Sequence, residues 1–532
     1  MNLRYNYQQR KKEFIIHSSI EIEIILLFMA IVSVAMGVRH YSKLPYTIAL
    51  IFAGIILSFF DIFPDIHLTP ELIFHVLLPP LLFEAAFNLN ANELKENVKP
   101  ILIYAVFGVI VAVFVTGFLL QGTFSLFSTD GVMPLMACLL FGAVISSTDP
   151  ISVLAIFKQL GVPKRLSSII EGESLLNDGV SVVVYGIILS AIVSHSHFSF
   201  IYGLKEFIEV AFGGALIGTI LGLTFSRITA LIDDHLIEIT LTTILTYLSY
   251  ITAEYFHASG VISVIAAGLM VGTYGTKIGM SPTTRVSVKD FWDYIAFVIN
   301  SVVFFIIGLE VGIVNIFTNF HYIIIAILSV LIGRTVSILV LTQIVNRIDK
   351  KIDFKWQTVF VWGGVRGALA MALALAIPKD YEFRDIILIM TFGVVGFSLI
   401  VQGLSIGKLL NILHIGGRDK NLEEYELEKG RLIAINGAAQ ELESMYKDAL
   451  ISTHVYQLLS DHNTKDIEKA KEIIEELAKD PNVKNYEFKT SLKRLLLKQK
   501  DSIQESMKHG IISIQVGERL INTINQEILY LD

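Results

Sequence analysis

The sequence contains one cysteine, Cys138, set inside an apolar run. A single thiol excludes a disulfide framework and any metal site built on cysteines. Charge is also scarce: 17% of the 532 residues are Asp, Glu, Lys or Arg, against about 25% in an ordinary soluble domain. The charge that is present is uneven, because 38 of the 91 charged side chains fall in the last 117 residues, from Gly416 onward. The first 415 residues are therefore far more apolar than the mean hydropathy of +0.63 suggests. Such a stretch cannot present a water-facing surface, and a membrane body with a polar tail follows. No cleavable leader is evident either. Met1–Ser19 is polar and basic, and the apolar run Ile20–Val38 carries no small-residue cleavage pattern. No Ser/His pair and no HExxH arrangement supports a membrane hydrolase, and the tail carries no catalytic or nucleotide motif. Neither a cofactor nor a nucleic-acid partner is expected.

What the sequence does have is a succession of apolar runs. A spanning helix needs about 20 such residues. Thirteen runs qualify, at 20–38, 44–60, 71–89, 100–120, 133–157, 167–193, 203–226, 235–253, 258–275, 291–310, 319–345, 355–377 and 385–411. Basic residues mark cytoplasmic loops. Fifteen Lys/Arg fall in the odd-numbered loops, among them Lys158, Lys164, Arg165, Arg347 and Lys350, against Lys205, Lys379 and Arg384 at the even ones. This bias places the tail in the cytoplasm and the N-terminus outside. Arg4, Arg10, Lys11 and Lys12 run against it, and the first helix is read as overridden by the stronger downstream bias. The chain thus divides into an N-terminal segment 1–19, a membrane domain 20–411 and a helical cytoplasmic tail 416–532. Within the tail, Ile467, Ala470, Ile474 and Leu477 share one helical face, Leu492, Leu495 and Leu496 suggest a second amphipathic helix, and Pro481 separates the two. The tail is read as a packing or dimerisation module, with a regulatory sensor as the other reading.

In lipid the informative residues are the ionisable ones inside spans, since each costs about 2.5–3.5 kcal/mol at the bilayer centre even on lenient scales and usually marks an ion pathway. The fifth span holds Ser146-Ser147-Thr148-Asp149-Pro150. The sixth holds Glu171 and the string from Glu173 to Asp178. The eleventh holds Gly333-Arg334, and the twelfth Gly363-Gly364-Val365-Arg366-Gly367. Pro150 has no N–H to donate and clashes with the preceding turn, so the fifth helix breaks or kinks there. Broken backbone at membrane depth is tolerated only where it lines a cavity or is buried in protein. The freed carbonyls and the Thr148 hydroxyl then become ligands for a hard cation; the plainer reading is a proline kink with Asp149 as a helix-end partner. Glu173, Asn177 and either Ser174 or Asp178 fall at helical spacings of three to four and share a broad face. Burial favours the neutral form of a carboxylate and an approaching cation favours the ionised form, so H⁺ and a metal cation compete for one group. That competition is the minimum device for obligatory exchange, against the plainer reading of Asp178 as a structural acid paired with an arginine. Arg334 and Arg366 cannot lose their charge and each needs an anion. One of them pairing with Glu173 would leave Asp178 free to titrate. His75 and His257 are read as packing histidines, Glu310 as interfacial, and Glu84 as either an access-path or a packing residue.

The strings Leu78-Pro79-Pro80-Leu81-Leu82-Phe83-Glu84, Ser147-Thr148-Asp149-Pro150, Glu173-Ser174-Leu175-Leu176-Asn177-Asp178, Gly333-Arg334 and Trp362-Gly363-Gly364-Val365-Arg366-Gly367, in this order, resemble the monovalent cation/proton antiporters, a family that includes bacterial sodium/proton antiporters and animal sodium/proton exchangers. The resemblance covers about 20–411. It implies an all-α polytopic fold of about thirteen spans with two inverted repeats and crossed, discontinuous fifth and twelfth helices. It also implies a homodimer in the plasma membrane, a bacterial inner membrane, with a core bundle that moves against a dimerisation bundle. By resemblance Asp178 is the cation- and proton-binding carboxylate. Thr148, Asp149, Ser174 and Glu173 supply or support ligands for Na⁺ as the transported ion, with Asp178, Thr148 and Ser174 touching it, while Asn177, Arg334 and Arg366 organise the site; with the spans placed as the resemblance implies, Glu173 is expected to pair with Arg334 and Arg366 to cap the unwound twelfth span. Relatives with two adjacent aspartates are electrogenic and those with Asn-Asp exchange one cation for one proton. Val365 where relatives often have Leu, and Ser146-Ser147 where others have Ala, are slight departures. Li⁺ or K⁺ in place of Na⁺, or an uncoupled cation pathway or sensor on the same fold, stay open.

Overall fold

Apolar runs in lipid fold as helices because every backbone N–H and C=O must find a partner within the chain. The computed structural model describes residues 29, 46–58, 70–127, 133–194, 200–232, 234–276, 280, 282–313, 319–416 and 420–531, and among these every regular element is a helix. The backbone separates into two units, Met1–Gly416 and Gly417–Asp532.

In the first unit, the first expected span lies outside the described residues except for Met29. The next twelve fall on helical segments. These are α1 (Tyr46–Ser58), α2 (70–88), α3 (91–127), the interrupted pair α4 (Leu135–Ser146) and α5 (Ile151–Leu160), α6 (Lys164–Val193), α7 (Phe200–Thr229) and α8 (His235–Tyr255). There follow α9 (260–275), α10 (Pro282–Ile313), α11 (Phe320–Ile348), the interrupted pair α12 (Phe354–Trp362) and α13 (Ala368–Leu375), and α14 (384–413). Among the described residues, α3, α4–α5, α6, α7, α8, α11 and α14 are long and apolar enough to cross a membrane, and α1, α2 and α9 are shorter apolar helices.

Two groups of helices pack mainly among themselves. One comprises α1, α2 and α7–α10, the other α3–α6 and α11–α14, and α6 also touches α7 and α9 of the first group. Small residues allow the closest crossings. A Cβ on Gly54 of α1 or Gly308 of α10 would strike the other helix's backbone, and one on Gly218 of α7 would strike the Ser263 carbonyl of α9, the close approach that small residues permit between membrane helices. In the first group Trp292 of α10, almost fully buried, lies 4.7 Å ring to ring from Phe83 of α2 and donates to the Thr242 hydroxyl of α8 at 3.2 Å. Proline pairs at membrane depth leave carbonyls to be satisfied from outside. Pro80 cannot donate to the Val76 carbonyl, and the Tyr247 hydroxyl of α8 does so at 3.2 Å, beside a π-helical turn at Ile73–Leu77.

The second unit consists of α15 (Lys420–Lys447), α16 (Thr453–Leu477), α17 (Pro481–Lys508) and α18 (Ile514–Leu531). Pro481 opens α17 after Asp480, whose carboxylate accepts from Asn482 N at 2.8 Å, where the missing proline N–H costs nothing. Ala470 is buried, with Ile467, Ile474 and Leu477 partly so, which is the expected inner face of α16. Tyr425, Leu442, Val483, Leu496 and Ile524 are buried with it, while Leu495 faces outward. Polar clasps join α15 to α17: Asn421 to Asp480 at 2.9 Å, Lys429 to Glu487 at 3.8 Å, and Tyr486 to the Glu426 carboxylate, which pushes the phenol up to about 12.

Candidate functional site

The site begins with backbone that the helices cannot satisfy. α4 ends at Ser146 and the chain runs extended through Ser147 (φ −58°, ψ 141°) before Pro150 leads into α5. The carbonyls of Ser146, Ser147 and Thr148 lose their helical partners and each finds another. Ser146 O accepts from Arg366 Nη1 at 2.5 Å and from Asn177 Nδ2 at 3.1 Å. Ser147 O accepts from Arg366 Nη1 at 3.1 Å, and Thr148 O from Ser174 Oγ at 2.5 Å. The second interruption, 363–367, is served in the same way. Val365 O accepts from Asp149 N at 2.7 Å, so the two breaks touch backbone to backbone. Arg366 N donates to Ser398 Oγ at 2.6 Å, within a π-helical turn of α14. Phe360 O accepts from Arg334 Nη2 at 3.2 Å.

Glu173 and Arg334 form a bidentate pair, Nη1–Oε1 at 2.7 Å and Nη2–Oε2 at 2.9 Å, with both side chains almost fully buried. This geometry fixes α6 against α11 more than it stabilises the fold, because desolvating two charges offsets most of their attraction. Arg366 does not cap its own interrupted segment as expected. Its guanidinium reaches across to the carbonyl end of α4, because that is where the helix leaves acceptors unpaired.

Asp178, half-buried on the middle of α6, takes one hydrogen bond from a side chain, Ser147 Oγ at 2.7 Å to Oδ1. Among the described residues no Lys, Arg or His lies within ion-pairing reach of it. It opens onto a cavity of about 330 Å³ whose lining includes Glu84 and Asn88 of α2, Ser147, Thr148 and Asp149 of the first break, Glu171 and Ser174 of α6, Asn300 of α10, and Ala368 and Leu369 of α13. The cavity thus lies between the two helix groups. Asp149 also accepts from Ile151 N at 3.0 Å and so holds the start of α5. Asn177 Nδ2 is 3.3 Å from Thr148 Oγ1, while its buried Oδ1 has no hydrogen-bond partner among the described residues. A polar wall made of carboxylate, carbonyl and hydroxyl oxygens, with no sulfur and no imidazole, suits a hard cation.

Of the residues singled out from the sequence, Asp178, Asp149, Thr148 and Ser174 line one cavity, whereas Glu173, Asn177, Arg334 and Arg366 form the layer behind it. His75 lies outside that lining, bonded to Glu71 O at 3.2 Å and 3.5 Å from Glu254. His257 occupies a left-handed turn (φ 56°) between α8 and α9. The Glu310 side chain lies outside the described residues. Three features escaped the sequence reading. Ser147 turns out to be the donor to Asp178, and its place directly before a helix break is the signal that would have found it. Asn300 reaches the cavity from α10 with no sequence signal. Asn88 donates to both Glu84 at 2.6 Å and Asp293 at 2.7 Å, and its spacing of four from Glu84 was a usable hint.

Comparison with known proteins adds the lineage. Residues 24–412 match the family model described as "Sodium/hydrogen exchanger, transmembrane". The Na(+)/H(+) antiporter NhaG of Bacillus atrophaeus is 36% identical over 519 residues, covering 94% of this chain and 96% of its own. The Na(+)/H(+) antiporter NhaH of Halobacillus dabanensis is 38% identical over 402 residues, covering 97% of its own length but 73% of this chain. Among solved structures, the sodium proton antiporter MjNhaP1 from Methanocaldococcus jannaschii at pH 8 superposes with a TM-score of 0.60 at 20% identity, covering 74% of this chain and 99% of that one; it shares the fold. With a family match across the membrane unit and a relative matched along nearly its whole length, this multi-pass chain belongs to the sodium/hydrogen exchanger family of membrane transporters, not to the enzymes.

Proposed function

We propose that this protein exchanges Na⁺ for H⁺ by alternating access, with Asp178 as the single carboxylate that holds either ion. One observation carries the reading. Both buried arginines are engaged elsewhere, Arg334 by Glu173 and Arg366 by the Ser146 and Ser147 carbonyls, which leaves Asp178 on the polar wall of a largely apolar cavity whose lining holds no permanent cation. A carboxylate so placed exchanges a proton for a metal cation because each ion displaces the other from the same oxygens. The names of the relatives, antiporters of Na⁺ and H⁺, support the same ion pair.

Asp149, Thr148 and Ser174 support the cation from the first break, while Asn177, Glu173, Arg334 and Arg366 hold that break in shape. With Asn177 in place of a second carboxylate beside Asp178, one cation replaces one proton and no net charge moves. The cavity between two helix groups favours a movement of one group against the other, in a homodimer with inverted repeats and thirteen spans, set in the plasma membrane with the 416–532 tail in the cytoplasm. In proteoliposomes loaded with Na⁺, an imposed outward Na⁺ gradient is expected to acidify the lumen. Li⁺ and K⁺ run in turn rank the cations, and a Na⁺ flux that moves no protons would replace exchange with an uncoupled pathway. Clamping the membrane potential with K⁺ and valinomycin is expected to leave the rate unchanged, and acceleration by voltage of one sign would refute the 1:1 stoichiometry.

A further inference from the structure

A second cavity, of about 370 Å³ and mostly polar, lies where α2 turns into α3 and where α9 gives way to α10. Its lining differs in kind from that of the cation cavity. Asn88, Asn90, Asn92, Thr273 and Thr276 contribute amides and hydroxyls, and Arg285 and Lys289, one turn apart on α10, contribute two cations and no carboxylate. Among the described residues neither cation makes a hydrogen bond or an ion pair. Asp290 follows Lys289 directly in sequence, and among the described residues it pairs with neither cation; Asp293 and Glu93 are held by amides, Asp293 by Asn88 at 2.7 Å and Glu93 by Asn90 at 3.3 Å. The first turns of α3 and α10 are polar, and their apolar stretches begin only near Pro100 and Phe291, so the cavity sits at the depth of lipid headgroups.

Two cations in i, i+4 register, without an ion pair among the described residues and facing a hollow lined by amides and hydroxyls, are the chemistry that holds a phosphate group. We propose that this cavity binds a phosphate-bearing anion, either the headgroup of an anionic lipid or a free phosphate. Uncharged amides and hydroxyls accommodate the remaining oxygens, and the two cations neutralise the charge. Asn88 lines this cavity and the cation cavity alike, and it donates to Glu84 of the latter. The anion would therefore sit one side chain away from the transport site.

The purified full-length chain in a neutral detergent tests this by thermal unfolding, without any transport measurement, so its failure is separate from failure of the antiport reading. The probes are dioctanoyl phosphatidylglycerol, dioctanoyl phosphatidylcholine and sodium phosphate at matched concentration. A rise in melting temperature with phosphatidylglycerol alone, absent from Arg285→Gln/Lys289→Gln but kept in Lys350→Gln/Lys351→Gln, establishes the site with lipid as its source. The same pattern with inorganic phosphate establishes it with free phosphate as its source. If neither anion stabilises the chain, or the two double variants respond alike, the proposal is overturned. Should the first double variant not fold, phosphatidylglycerol retained in native mass spectrometry by Arg285→Gln and by Lys289→Gln singly replaces it; retention equal to wild type overturns the proposal and a loss supports it.

Discussion

The two helix breaks meet at one backbone hydrogen bond, yet they are furnished in opposite ways. The first, Ser147–Pro150, is made of short polar side chains, and three of them, Ser147, Thr148 and Asp149, face the cavity. The second, Gly363–Gly367, is made of glycines around Val365 and Arg366, and its contribution is a guanidinium turned away toward the carbonyls of the first. A proline imposes one break by removing a donor, whereas glycines permit the other by removing side chains where backbones must come close. The first break supplies ligands; the second supplies a fixed positive charge and the clearance that lets the first keep its shape.

That division of labour is open to attack, and the largest effect is expected at Asp178. Asp178→Asn keeps the size and the hydrogen bond from Ser147 but cannot exchange a proton for a cation. Na⁺-driven acidification in proteoliposomes should disappear while yield and melting temperature stay near wild type. Acidification at the wild-type rate would remove Asp178 from the centre of the mechanism and return the question to Asp149 and Glu84.

Behind the ligands, the Glu173–Arg334 pair is the next most sensitive point. Removing one partner of a buried pair leaves an unpaired charge, at a cost of about 3–5 kcal/mol. Arg334→Ala alone should lower the yield and the melting temperature, and Glu173→Ala added to it should restore part of the loss. A double-mutant cycle without coupling would mean that the 2.7 Å and 2.9 Å contacts contribute nothing in the membrane.

Much of this was legible beforehand, for identifiable reasons. Pro150 announces its own break, and charges inside apolar runs announce a site because lipid makes them costly. That one of two buried arginines would pair with Glu173 followed from counting acids against arginines, whereas the choice of Arg334 rested on likeness to a family. The second break had no proline to declare it and came only from likeness to a family. Arg366 was expected to serve its own segment, since a sequence does not say which distant carbonyls are short of donors. The π-helical turn of α14 that brings Ser398 to Arg366 N also left no trace in the hydrophobic pattern. Nor did the contribution of Asn300, because one amide in an apolar helix reads equally as packing.

A smaller effect is expected from the hydroxyl that faces Asp178. A hydrogen bond to a charged group is worth about 1.5–3 kcal/mol, so Ser147→Ala should raise the half-saturating Na⁺ concentration by roughly ten- to a hundredfold. Ser147→Thr, which keeps the hydroxyl, should recover most of that loss. The two variants behaving alike would show that the 2.7 Å bond is not made in the cation-bound state.

The smallest expected effect bears most directly on the contrast between the breaks. Gly367 has an extended backbone (φ −135°, ψ −152°), which any residue adopts, so its lack of a side chain is not a matter of conformation. Space is the reason: a Cβ there would lie 2.5 Å from Asp149 Oδ2 and 2.9 Å from Asp149 Cγ, far inside contact distance. Gly367→Ala must therefore push Asp149, and with it the start of α5, away from the second break. Overpacking of this kind costs about 1–3 kcal/mol, and the displaced carboxylate should weaken apparent Na⁺ affinity as well as stability. Gly396 of α14 is the control, since a Cβ there meets nothing within 4 Å, and Gly396→Ala should leave both quantities unchanged. If Gly367→Ala lowers the melting temperature but not the Na⁺ affinity, the second break supplies clearance for packing alone. If both fall together, the glycine break is what keeps the ligands of the first in place.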